Sequence, residues 1–253
     1  MQSISWLALS WCVLPLLVVA VIYWHWFGTA RELVLASLRM LIQLIGVGYL
    51  LVLIFAQPSL WVSLLVTLVM FVAASWIAIR PVEHLVKQHP YIWQAAAIAL
   101  VVPVLLHLVL SLKLVLQVDN GFEARVLIPL AGMYFANTMT TISLSAERFF
   151  AELEPTKLKP TKPKPAQLGN DKTVNAAKKN AFQAAMIPQI NGLLAVGLVA
   201  LPGMMTGQIL SGVSPLIAVR YQIMIMTMMI GTCGMGSTLL LWQLQRQYLK
   251  TAA

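Results

Sequence analysis

The chain has 253 residues, of which 60% are hydrophobic and only 10% charged, with a formal net charge of +9. Soluble domains carry about 25% charged residues, so the composition excludes an ordinary soluble domain and points to an integral membrane protein. The basic residues gather between apolar runs, where membrane topology places them, and this argues against a nucleic-acid partner.

No Asp, Glu, Lys or Arg occurs in 1–30, 40–79, 88–112, 126–146, 180–219 or 221–245. A helix crosses a hydrocarbon core with about 20 apolar residues, so the longest runs can hold more than one crossing. Barrel strands would alternate apolar and polar residues, and these runs do not. The predicted fold is all-α, with about seven transmembrane helices in a single permease-like domain, 1–253, embedded in the lipid bilayer. In chain order the spans are roughly Trp6–Trp24, Leu38–Phe55, Leu60–Ile79, Tyr91–Leu112, Val126–Ser145, Phe182–Leu201 and Ala218–Leu241. Gln57-Pro58-Ser59 reads as a hairpin and Arg80-Pro81 as a stop, because proline cannot continue a helix. No charged segment precedes the first span and no small-residue cleavage pattern follows it, so no cleavable signal peptide is expected.

Lysine and arginine favour the cytoplasmic side. With the N-terminus outside, 14 of the 17 basic residues lie inside, leaving Lys113, Arg125 and Arg220 outside. The chain is therefore read as N-terminus outside and C-terminus cytoplasmic, in the inner (plasma) membrane. Trp6, Trp11, Tyr23, Trp24, Trp26, Tyr91, Trp93, Trp242 and Tyr248 fall near span ends, where amphipathic rings anchor in the headgroup zone.

The inside segment 147–181 is the one sizeable polar piece. Its Lys-Pro alternation predicts a stiff, solvated linker. From Asp171 the residues favour a short cytoplasmic helix, capped by Asn170 or Asp171, that runs on into span six. The segment is either a simple connection or a docking surface for a cytoplasmic partner.

Span five carries Tyr134, Thr138, Thr141 and Ser145 at the spacing of one helix face, with Asn137 and Thr140 beside it. A face like this avoids lipid and turns toward protein or a wet pathway. Gln43, Gln183, Gln189, Asn191, Gln208 and Gln222 are further buried polar candidates. Glu147 and Arg148 close the inner end of the span, as an interfacial ion pair or as separate charges. His107 reads as a hydrogen-bonded packing residue, and His84 and His89 show no zinc spacing. Cys12 and Cys233 read as small packing residues.

Thioethers are soft ligands that suit Cu(I) and tolerate other transition metals, and they are also adaptable packing groups. Met204 and Met205 stand out because they follow Pro202-Gly203 and precede Gly207. Proline ends a helix and glycine tolerates unusual dihedrals. The expectation is that span six stops at Pro202-Gly203 and that Met204–Gly212 forms a short broken or re-entrant piece at an outer gate. The two sulfurs would serve there as a hydrophobic plug or as metal ligands. No G-x-x-x-x-G-K-S/T loop, Ser-His-Asp set or H-E-x-x-H occurs, so the chain is not read as an enzyme and any nucleotide energy would come from another chain.

The blocks LIQLIGVGYLL (41–51), IPLAGMYFANTM (128–139), ISLSAERF (142–149), VGLVALPGMMTGQILSG (196–212) and VRYQIMIMTMM (219–229) resemble the FetB-type permeases. These are membrane subunits of a small ABC export system linked to iron, with plant relatives associated with aluminium tolerance. The resemblance runs over most of 31–240. It implies a seven-span permease, dimerised, bound to a separate cytoplasmic ATPase that holds ATP and Mg, and exporting iron or a related metal. Carried over by motif, the matching positions are Gln43, Pro129, Gly132, Asn137, Glu147, Arg148, Pro202, Gly203, Met204, Met205, Gly207, Tyr221 and Gln222. With Thr138 and Thr141, residues Gln43, Asn137, Met204, Met205 and Gln222 are the substrate-pathway candidates. Pro202, Gly203 and Gly207 are the gate candidates. ATPase coupling would fall to Glu147, Arg148, Leu168, Gly169, Asn170 and Asp171. Here the chain departs from the family, having Leu168-Gly169-Asn170-Asp171 where relatives show a helical lead into LGAT. Two other readings stand beside this one: the same architecture carrying a non-metal solute, and a membrane scaffold or sensor that recruits a cytoplasmic partner.

Overall fold

The computed structural model describes residues 5–56, 59–83, 85, 90–118, 124–153 and 171–252. Gln57-Pro58 of the expected hairpin, His84, His89, most of the Lys-Pro linker, and Leu168, Gly169 and Asn170 lie outside the described residues. The chain divides into two compact units, Met1–Pro58 and Ser59–Ala253.

The first unit holds α1 (Trp6–Ser10), α2 (Val13–Phe27) and α3 (Arg31–Ala56). Ser5 caps α1, its hydroxyl accepting from the Ala8 amide at 3.1 Å. The expected first span is interrupted at Trp11-Cys12, and Pro15 accounts for the break. Proline has no N–H to offer the Trp11 carbonyl one turn back, and the Leu14 amide takes that carbonyl instead at 3.2 Å. No residue of α2 is buried by protein, and a helix apolar on every side needs an apolar surround such as the lipid of a membrane span.

The second unit holds α4 (Leu60–Ala78), a 3₁₀ turn at Arg80–Val82, and α5 (Tyr91–Val109), which widens into a π turn over Leu110–Val115. There follow α6 (Ala124–Leu153), α7 (Asp171–Ala195), α8 (Gly203–Leu210) and α9 (Pro215–Ala252). Every element named among the described residues is helical. Helix α6 packs against α4, α5, α7 and α9, and α9 packs against α5, α6, α7 and α8, so α6 and α9 form the centre. The core around them includes Ile92, Leu100, Phe135, Ile142, Phe149, Ile225 and Leu240.

Among the described residues five stretches are long and apolar enough to cross a membrane: Leu7–Phe27, Arg31–Ala56, Leu60–Ala78, Tyr91–Val115 and Pro215–Leu249. Helices α6 and α7, expected as spans five and six, are not among them. Both are long, at 30 and 25 residues, but they carry polar residues that lower their hydropathy. The protein is a multi-pass, all-helical membrane protein.

Span six needs correction. Its helix ends at Ala195, well short of Pro202, and VGLVAL is a tight turn. Gly197 adopts φ +81°, which an L side chain resists. Its amide donates to the Ala200 carbonyl at 3.0 Å, while the Val199 and Ala200 amides share the Ala195 carbonyl at 2.9 and 3.1 Å. Leu198 and Val199 are 89% and 85% exposed at the tip of this turn. Pro202-Gly203 therefore opens a helix: Pro202 is extended at the N-cap of α8, and Gly203 is its first residue.

Candidate functional site

The site candidates fall in three places. The first is the α6 stripe, all four of whose residues are buried inside the unit. The Tyr134 hydroxyl meets the Ser111 hydroxyl of the π turn at 2.8 Å. Thr138 lies 4.0 Å from the Cys233 sulfur on α9. The Gln189 amide of α7 donates to the Thr141 hydroxyl at 3.4 Å. Ser145 and Ser237 share a hydrogen bond of 2.6 Å across α6 and α9. Thr141 and Ser145 also donate to backbone carbonyls one turn back, Asn137 and Thr141. A hydroxyl that bonds its own helix can face a neighbouring helix without an orphaned proton.

Packing at this seam is close because of a proline and a glycine. Pro103 in α5 cannot donate to the Ala99 carbonyl, which is thereby left open. Gly236 of α9 fits against it: an added Cβ would lie 2.9 Å from the Ala99 oxygen and 2.8 Å from the Thr138 methyl. One turn earlier, a Cβ on Gly231 would strike the His107 imidazole. His107 is buried, and its Nδ1 donates to the Pro103 carbonyl at 2.8 Å. Ser111, Thr232 and Ser237 were not singled out in the sequence. The spacing of small residues over 232–237 was the available signal, since small residues let helix backbones approach.

The second place is α8. Its Thr206 amide and hydroxyl both donate to the Pro202 carbonyl, at 3.0 and 3.1 Å. Met204 and Met205 are half-buried, and Met204 packs against the main core. An added Cβ on Gly203 or Gly207 would meet nothing within 4 Å. Among the described residues the buried Gln208 Oε1 has no hydrogen-bond partner. Gln222, on the facing helix α9, is buried. Among the described residues no group of three His, Cys, Asp or Glu is placed to hold a metal ion, so the donors on offer here are sulfur, amide and hydroxyl.

The third place is the charged end of α6, α7 and α9. Arg148 pairs with Glu152 one turn on, at 2.8 Å, and not with Glu147. Both Glu147 and Arg148 are exposed. Asp171 begins α7, and the first turns of α7 are packed, with Val174, Ala177 and Ala181 buried. Lys178 donates to Gln245 at 2.8 Å, and Gln245 donates to Asn175 at 3.0 Å, joining α7 to α9. The expected short helix is thus the continuous, docked start of α7.

Gln43 belongs to α3 of the first unit, where it is exposed, and on α7 the candidates Gln183 and Asn191 are exposed. Asn137 is half-buried beside the stripe and donates to the Met133 carbonyl at 2.9 Å.

The family model described as "Uncharacterised protein family (UPF0014)" matches residues 5–249. A UPF0014 membrane protein of Synechocystis is 30% identical over 97% of this chain and 94% of its own length. The "Probable iron export permease protein FetB" of Escherichia coli is 29% identical over 93% of this chain and 89% of its own. "Protein ALUMINUM SENSITIVE 3" of Arabidopsis thaliana is 29% identical over 91% and 83%. No solved structure matches with significance.

Proposed function

This chain belongs to the UPF0014 family, and from that premise we propose that it is the membrane-spanning permease subunit of an ABC-type exporter. It moves iron or a related transition metal out of the cytoplasm of the cell, across the inner (plasma) membrane, working as a homodimer with a separate ATPase that binds ATP and Mg. The observation that carries this reading is the match, over nearly the whole chain, to the bacterial protein named as an iron export permease.

In this reading α6 and α7 also cross, shielded by their neighbours, and bring the spans to seven with the N-terminus outside. The charge bias of the loops supports that orientation. The charged end of α6, α7 and α9 then faces the cytoplasm and receives the ATPase, with Glu147, Arg148 and Asp171 at its edge. Exposed carboxylate and guanidinium groups on packed helices suit a rigid docking face, because they can pair across an interface at little cost in order. The α8 segment lies at the outer side, where Met204 and Met205 flank the exit. Irregular backbone at membrane depth is tolerated where protein or a watery cavity covers it.

The test is biochemical. The chain is co-expressed with a candidate ATPase that lacks membrane spans of its own, and the two are purified together. The expected result is co-purification and ATP hydrolysis that rises with added Fe(II) or another transition metal. Loss of co-purification on Glu147→Lys/Arg148→Glu, with the fold unchanged, supports docking at that end. An ATPase that never associates, or hydrolysis indifferent to every metal tried, overturns the reading. The scaffold alternative predicts association without any metal response.

A further inference from the structure

A groove of about 500 Å3 opens between α7 and α9, within the roughly 300–1,000 Å3 of sites that hold small organic ligands. Lys178, Lys179 and Phe182 line one wall, and Thr238, Leu239, Leu241 and Trp242 the other. Its chemistry is divided along the helices. Lys178 and Lys179 are the last charges before the charge-free run 180–219, and Arg246 is the first charge after 221–245. Arg246 sits over the Trp242 ring, 5.5 Å from its centroid. Cations thus rim one end of a groove whose remaining walls are apolar apart from Thr238, and the Thr238 hydroxyl donates to the Gly234 carbonyl of its own helix at 2.8 Å. The partner of Lys178 is the neutral Gln245 carbonyl, and among the described residues neither lysine pairs with a carboxylate.

We propose that this groove binds one anionic phospholipid, its phosphate against Lys178, Lys179 and Arg246 and an acyl chain over Phe182, Leu239 and Trp242. Basic pockets between membrane helices hold anionic headgroups in this way, and each lysine near such a surface contributes about a fivefold factor in affinity. Charge selects this occupant over the others. A second copy of the same face would bring the same cations. The segment 155–170 carries four lysines and no carboxylate, so it too is repelled. A free phosphate leaves the apolar walls uncovered. Bound lipid bridges α7 and α9 next to the Lys178–Gln245–Asn175 chain and holds that end of the pair together. The assignment depends on the proposed orientation only for which leaflet supplies the lipid.

The test uses the full-length protein in nanodiscs of phosphatidylcholine with or without phosphatidylglycerol, with retained lipids counted by native mass spectrometry. Wild type is expected to retain phosphatidylglycerol over phosphatidylcholine. Lys179→Gln should weaken retention about fivefold, and Lys178→Gln/Lys179→Gln further, while Lys113→Gln keeps the wild-type preference. Trp242→Ala should reduce retention of both lipids without changing the preference. Equal retention of the two lipids by wild type overturns the proposal without recourse to any variant. So does an unchanged preference in the folded double variant, equal stabilisation by inorganic phosphate, or disulfide crosslinking of Phe182→Cys between two copies. The disc offers the same lipid on both faces, so a missing preference counts against the groove alone. Labelling of Lys179→Cys from outside whole cells counts against the orientation alone.

Discussion

The α6–α9 seam and the α8 segment are both rich in glycine and polar groups, and they use them in opposite ways. At the seam, Gly236 sits where a Cβ would meet the Thr138 methyl at 2.8 Å and the Ala99 oxygen at 2.9 Å. Its hydroxyls are buried and partnered, two of them within their own helix and across to the next. In α8, Gly203 and Gly207 face open space, and Gln208 keeps a buried oxygen without a partner among the described residues. The seam's composition follows from packing inside this chain. In α8 packing accounts for Met204, which lies against the core, but not for Gly203 and Gly207, which meet no neighbour among the described residues.

Substitutions can break this contrast. The largest effect is expected at Gly236→Val. The side chain has a backbone carbonyl in its way, and overpacking of this kind costs about 1–3 kcal/mol or more. A thermal-unfolding measurement in detergent should show a clear loss, and a wild-type melting temperature would mean that the seam is looser than described. Next comes Gly207→Ala, of opposite sign. It adds helix propensity of about 1 kcal/mol where nothing obstructs the methyl, so stability should hold or rise. Transport should fall if the face is used. A loss of stability would place an unseen contact there.

Smaller still is the coupling of Ser145 to Ser237. Alanine at Ser237 should cost little, because the Ser145 hydroxyl keeps its bond to the Thr141 carbonyl. A double-mutant cycle should return about 0.6 kcal/mol, the usual size for hydrogen bonds between membrane helices. Zero coupling would reduce the pair to a mere contact. The smallest effect on stability is expected for Met204→Leu/Met205→Leu, a swap that conserves volume. Its readout is metal efflux from cells: a drop at wild-type abundance assigns the sulfurs to the path, and unchanged efflux leaves them as packing.

The third span, read as Leu60–Ile79, is α4 at Leu60–Ala78, because a charge-free apolar run with proline at both borders has few alternatives. The burial of Tyr134, Thr138, Thr141 and Ser145 was legible from their spacing, since polar groups at one helical phase avoid lipid together. What the sequence hid was where helices stop. Helix α6 runs to Leu153, because packing of Phe149 and Leu153 carries it past its apolar run, whereas the start of α7 at Asp171 was legible in its acidic first residue and helix-forming composition. VGLVAL reads as helix by hydropathy, yet hydropathy does not report the left-handed φ of Gly197. Gln183 and Asn191 were placed inside by polarity alone. Polarity does not say which face of a helix a residue occupies, and both are exposed on α7. The partners of the stripe lay far off in the chain, on the π turn and α9, where single small residues give little signal.

Metal flux is the most direct test of the account. The chain and the proposed partner ATPase are reconstituted into proteoliposomes with ATP and Mg on the side facing the charged ends of α6, α7 and α9. Fe(II) should then move to the opposite side only while ATP is hydrolysed, and the movement should stop with Glu147→Lys/Arg148→Glu. A reconstituted complex that hydrolyses ATP yet leaves Fe(II) and other transition metals where they started would contradict the account.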